Sequence, residues 1–117
     1  MIARILVLPF GSIWNLKRLC VSVKNIAVKK ILIKHYGLYQ YVNGSSIAYN
    51  SVFAGVPCLP HGMKSIFISG GAMLGKNCVI FQQVTIGSNT LIDSINRGAP
   101  VIGDNCYIGA GAKSLVM

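Results

Sequence analysis

The chain has 117 residues, 53% of them hydrophobic, with 11 Lys or Arg against two acids, Asp93 and Asp104, for a net charge of +9. That size fits one domain, and 11% charged residues against roughly 25% in ordinary soluble domains leaves much of the surface neutral. Two isolated acids exclude chemistry that needs clustered carboxylates, such as a glycosidase acid/base pair or an oxygen-ligated Ca²⁺ site.

Seven of the basic residues (Arg4, Lys17, Arg18, Lys24, Lys29, Lys30 and Lys34) fall in residues 1–34, where there is no acid. They interrupt every apolar run before it reaches the roughly 18–20 residues of a membrane span. The stretch Ile5 to Phe10 is too short for a signal peptide and lacks a small-residue cleavage pattern. Ile13, Leu16, Cys20, Val23 and Ala27 recur at spacings of three or four, which predicts two short helices over residues 12–36 within a basic segment 1–46. Such a segment suits two roles: a helical cap with a solvated basic face, or peripheral contact with an anionic membrane through residues 12–36, with Trp14 at the interface. No helix-turn-helix, zinc-finger or RNP-type pattern accompanies the charge, so nucleic acid is not an expected partner.

From residue 47 to 117 a six-residue repeat takes over. Its units open with Ile47, Phe53 and Leu59, then Ile68, Leu74, Ile80 and Ile86, then Ile102 and Ile108. The fifth residue is mostly small: Ser51, Pro57, Ala72, Cys78, Val84, Thr90, Cys106 and Ala112, with Met63 the largest exception. Helices repeat every 3.6 residues and simple strands every two, so a period of six suits a coil with flat sides. Each hexapeptide then supplies a short strand and a turn, and three close one triangular coil. Openers stack inside and the fifth residue sits near a corner, while the glycines after the openers (Gly75, Gly87, Gly103 and Gly109) are expected to ease the turns.

Two interruptions break the count. Leu59 to Ile68 is three residues too long for one unit, and Ile86 to Ile102 spans sixteen where twelve would keep phase. The second is read as an extruded loop at 88–99, carrying Ser88, Asn89, Thr90, Asp93, Asn96, Arg97 and Gly98. Cys20, Cys58, Cys78 and Cys106 show no CxxC spacing and read as reduced thiols of a cytoplasmic protein, with Cys78 and Cys106 in the core.

The stretches IFISGGAMLGKNCVIFQQVTIG (Ile66 to Gly87) and PVIGDNCYIGAGAK (Pro100 to Lys113), with LPHG before them, resemble the hexapeptide-repeat acyltransferases, in particular the serine acetyltransferase-like branch. The resemblance implies a mainly β fold, a left-handed parallel β-helix of about three coils behind the helical segment. It also implies a homotrimer that moves an acetyl group from acetyl-CoA to a hydroxyl, with no metal. His61 matches the catalytic histidine, while Gly87, Ser88, Gly109, Ala110, Gly111, Ala112 and Lys113 match CoA-contacting positions. A carbonic-anhydrase-like coil would need three histidines, and His35 and His61 are the only two.

The role of His61 makes chemical sense on its own. A histidine of ordinary pKa is largely neutral near pH 7 and takes the proton of an attacking hydroxyl, an effect of roughly 10²–10⁴ in rate. The chain departs from the branch in carrying Ser46 where an aspartate is usual and Ala99 where a second histidine is usual. Both losses favour a sugar hydroxyl, as in surface-polysaccharide synthesis, over serine as acceptor. Ser114 stands where a tenth aliphatic opener belongs, and the chain stops at Met117. It therefore also reads as a shortened coil without activity, at most a binding or scaffold module.

Overall fold

The structure, a computed structural model, describes residues 6–88 and 98–115. A short 3-10 turn at Leu8–Phe10 leads into α1 (Ile13–Ser22) and α2 (Ile26–Val42). The Ser12 and Asn25 side chains accept hydrogen bonds from the Asn15 and Val28 amides, so each helix begins on a residue that satisfies a free N–H. The break between the helices explains why the sequence periodicity stops: Ile13, Leu16 and Cys20 are buried, Val23 is half-buried and Ala27 is exposed. The second helix runs six residues beyond the predicted end at 36.

Among the described residues nine short strands follow: β1 (Ser46–Ile47), β2 (Val52–Phe53), β3 (Phe67–Ile68), β4 (Met73–Leu74), β5 (Val79–Ile80), β6 (Thr85–Gly87), β7 (Val101–Ile102), β8 (Tyr107–Ile108) and β9 (Lys113–Leu115). They pair in parallel as three faces: β1-β3-β6-β9 on the first, β2-β4-β7 on the second and β5-β8 on the third, where Cys58 also bridges Val79. This is the left-handed parallel β-helix, wound about three times.

Register fixes the arithmetic. Ile68 pairs with Ile86, eighteen residues and one coil of three hexapeptides later. Ile47 pairs with Ile68 after 21 residues, and Ile86 with Ser114 after 28. The interruptions therefore add three and ten residues. The second was undercounted in the sequence, because 86 and 102 open consecutive faces, not faces two units apart. Most of that loop, with Thr90 and Asp93, lies outside the described residues. Ser114 falls in register as the fourth rung of the first face.

The inward openers form the core. Ile47, Ile68 and Ile86 stack under the first face, Leu74 lies under the second and Ile80 under the third, all buried. At roughly 1.5–3 kcal/mol for each buried aliphatic side chain, these stacks are the main cohesive element. Burial falls off in the third coil, where Ile102, Cys106 and Ile108 are half-buried and Ala112 is exposed.

Two expectations change. Met63 is not a fifth-position residue: the three-residue interruption shifts the phase, and Ile66 fills that corner, fully buried, with its carbonyl accepting from Ser46 N–H. Nor do the glycines after the openers bear the turn strain. Left-handed backbone falls at fourth positions instead, at Gly71, Asn77, Gln83, Asn105 and Gly111. Gly75 is small for another reason: a Cβ there would lie 2.6 Å from the Asp104 backbone nitrogen on the next coil.

The helices cap the first coil and share its core. The Tyr36 hydroxyl donates to Ile47 O at 2.6 Å, and Gln40 Oε1 accepts from Ile47 N–H at 3.0 Å and from Ser45 Oγ at 2.6 Å. The first strand, which has no coil beneath it, thus finds its hydrogen-bond partners on α2. Burial pushes the Tyr36 hydroxyl above the usual tyrosine range, so it stays a donor. Lys17 of α1 is also buried; its amine donates to Ser51 O and lies 5.2 Å from the Phe53 ring centre. His35 holds the Leu6 carbonyl through Nε2 at 2.5 Å, a structural role.

Candidate active site

His61 lies at the corner between the third and first faces, in the first coil, immediately before the three-residue insertion. The same corner is occupied by Gln82 and Gln83 in the second coil and by Ala110 and Gly111 in the third. Parallel strands sit about 4.8 Å apart, so roughly 10 Å of coil axis separates His61 from the Gly109–Lys113 stretch. The turn closes because Gln83 (φ 61) and Gly111 (φ 75) adopt left-handed backbone.

The imidazole is exposed and packs tilted on Phe81, with ring centres 5.7 Å apart, and Phe81 packs on Tyr107 at 5.0 Å. This ring ladder climbs the three coils beside the corner. Among the described residues no acid is placed to orient His61. Asp104 Oδ1 accepts from Lys76 N–H at 2.7 Å, at a different corner, and Asp93 is outside the described residues. The position of the usual aspartate, Ser46, is exposed on the first face, four strands' width of sheet being aligned there by β1, β3, β6 and β9. Ala99 sits at the far corner of that face, 3.5 Å from where a Cβ on Gly71 would stand.

The residues matched to CoA contacts divide between two corners. Gly109 to Lys113 stand near the His61 corner, with Lys113 paired to Thr85. Gly87 and Ser88 stand across the first face, where Ser88 Oγ is 2.8 Å from Ser69 Oγ. The amides of Gly111 and Ala112 are already used, donating to Gln82 O and Gly109 O at 3.1 Å each. What this stretch offers a ligand is a flat surface, since a Cβ added at Gly109 or Gly111 would meet nothing within 4 Å, and the exposed Lys113.

Gln82 is a residue of this corner that the motifs alone do not single out. Its Oε1 is buried and has no hydrogen-bond partner. An unpartnered buried carbonyl oxygen is costly, about 1–3 kcal/mol, so Gln82 is a strained point of this corner. The available signal was its place in QQVTIG, one coil above His61 at the same third position of a unit.

The corner is an open ridge. Hollows of about 320 Å³ beside α2 and 410 Å³ between α1 and the second face lie elsewhere, the latter lined by Trp14, Lys17, Arg18 and Phe53. The four cysteines are free thiols: Cys20 and Cys78 are buried, Cys106 half-buried and Cys58 exposed. Burial pushes the Cys20 thiol up, partly opposed by the nearby Lys17 charge.

No family model matches the chain, and neither does any curated protein. Among solved structures it is similar to serine acetyltransferase isoform 3 of Entamoeba histolytica, solved in complex with cysteine, at 25% identity and TM-score 0.67, covering 92% of this chain and 37% of that one. It is also similar in fold to serine acetyltransferase 1 of the same organism. With L-cysteine bound that enzyme gives TM-score 0.57, and in its native form 0.55. Both share 18% identity and cover 93% of this chain and 52% of theirs. The chain therefore spans between about a third and a half of the structures it matches.

Proposed function

We propose that the chain supplies the coil of an acetyl-CoA-dependent O-acetyltransferase, with His61 as general base. The observation that carries the reading is the alignment of His61, Gln82 and the Gly109–Lys113 ridge along one corner of a β-helix similar to that of serine acetyltransferases.

In the reaction, a ring nitrogen of His61 takes the proton of the acceptor hydroxyl as its oxygen attacks the thioester carbonyl. The C–O bond forms, the C–S bond breaks, and the imidazolium returns its proton to the departing thiolate. Lys113 faces a phosphate of the CoA moiety. Gly109, Ala110, Gly111 and Ala112 let the ligand lie close to the backbone, and Gly87 with Ser88 lines the opposite corner. No metal takes part.

An open ridge does not exclude water, so the site is closed by a second copy in a homotrimer. In it the His61 corner of one subunit faces the Gly87–Ser88 corner of the next. The acceptor is a small hydroxyl compound. Ser46 and Ala99 leave no carboxylate or second imidazole to meet an amino acid's charges, which favours a sugar hydroxyl over serine. The free cysteines and the use of acetyl-CoA fit a cytoplasmic site of action.

The test is thiol release from acetyl-CoA by the purified 117-residue chain, with serine and a panel of hexoses offered as acceptors. Release that depends on a sugar hydroxyl is the expected result. No release with any acceptor, together with no uptake of CoA, overturns the reading and leaves the alternative of an inactive scaffold coil.

A further inference from the structure

We infer that the solvent face of α2 is a docking surface for an anionic lipid bilayer. The helix buries Tyr36 and Gln40 and packs Leu32, Ile33 and Tyr39 against the core. At 100° per residue, Ile31, Leu38 and Val42 share one narrow arc on the opposite side, bordered by Ala27 and Val28. All five are exposed: Ile31 is 67% and Leu38 49% accessible. Lys30 and Lys34, also exposed, form a parallel stripe beside this arc with Tyr41, and Lys24 stands ahead of the helix.

This relocates the membrane contact expected from the sequence. Of the apolar residues of α1, Ile13, Leu16 and Cys20 are buried in the core and Trp14 packs edge-on against Phe53 at 5.3 Å, which leaves Val21 as its one exposed large apolar side chain rather than a continuous apolar face. The free apolar stripe lies on α2.

Charge selects the occupant. Residues 1–46 carry seven cations and no acid, so two copies meeting face to face would bring only like charges together. A bilayer rich in anionic lipid supplies both missing complements: an apolar interface for Ile31, Leu38 and Val42, and phosphates for Lys30 and Lys34, whose stems reach past the apolar stripe. Among the described residues no helix is long and apolar enough to cross a membrane, so the contact is peripheral. It does not depend on the proposed acetyl transfer.

The experiment is co-sedimentation of the full chain with vesicles of phosphatidylcholine alone or containing about one quarter phosphatidylserine. Binding at least about tenfold tighter to the anionic vesicles is expected, weakening as NaCl rises from about 0.1 to 0.5 M. Ile31→Glu/Leu38→Glu and, separately, Lys30→Gln/Lys34→Gln should each weaken it about tenfold or more with unchanged circular dichroism, while Lys64→Gln/Lys76→Gln on the coil leaves it intact. Should the double glutamate variant fold poorly, Ile31→Ser carries the comparison. Equal binding to both vesicles, no binding, or variants that bind like the wild type overturn the inference. Self-association lost in Ile31→Glu/Leu38→Glu without vesicle uptake also overturns it, and assigns the face to a second copy.

Discussion

Ile80 and Ile108 make a matched pair for testing how the coil is held together. They pair in register on the third face, Ile80 fully buried in the second coil and Ile108 half-buried in the third. Truncating either to alanine removes three carbons, about 2.4 kcal/mol of transfer free energy at roughly 0.8 per carbon when burial is complete. At Ile80 the surrounding stacks cannot collapse fully, so the residual cavity raises the cost to about 3–5 kcal/mol. At Ile108 the side chain already meets solvent in part and no closed cavity forms, so a smaller cost of about 1–2 kcal/mol is expected. Urea unfolding at 25 °C followed by circular dichroism reads the difference as a shift in midpoint at similar slope. Equal costs, or a larger cost at Ile108, would show that the third coil is covered as deeply as the second and refute the burial gradient.

Tyr36→Phe leaves Ile47 O without its donor under α2 and should cost about 1–3 kcal/mol in the same assay. Gly75→Ala should destabilise strongly and loosen the contact between the second and third coils, visible as faster amide exchange around Asp104, because the added Cβ meets backbone rather than a flexible side chain. Lys17 has its pKa lowered by burial to about 8 in the fold, against 10.5 unfolded. Between these values the unfolded chain holds more protons than the folded one, so stability attributable to Lys17 rises with pH from about 8 to 10.5. The stability of wild type relative to Lys17→Met should rise over that window, and a flat difference would contradict the buried-amine reading.

The β-helix was legible because its interior imposes a spacing that few other folds share: an aliphatic residue every six positions must stack on its counterpart a coil away, as Ile68 does on Ile86. Insertions blurred that spacing locally. Three extra residues put Met63 where Ile66 belongs, and nothing in the sequence alone distinguishes ten extra residues from four when both restore an aliphatic opener. The end of α2 was hidden for a different reason. Apolar residues on both its buried side, such as Leu32, and its solvent side, such as Leu38, cancel the contrast on which a 3.6-residue signal depends.

The candidate site was readable only in part. His61 stood out by motif and by its place before an interruption, whereas Gln82 gains its interest from a buried oxygen that only the stacked coils create. The turn chemistry also needed three dimensions, since an asparagine or glutamine in left-handed backbone at Asn77, Gln83 and Asn105 gives a weaker signal than glycine.

The most direct measurement of the central claim is the rate of acetyl transfer by His61→Ala relative to the wild type, at saturating acetyl-CoA and with the acceptor that supports turnover. Loss of the general base should lower kcat by roughly 10²–10⁴ while CoA binding is retained. A variant that turns over as fast as the wild type would contradict His61 as the base and, with it, the assignment of this corner as the active site.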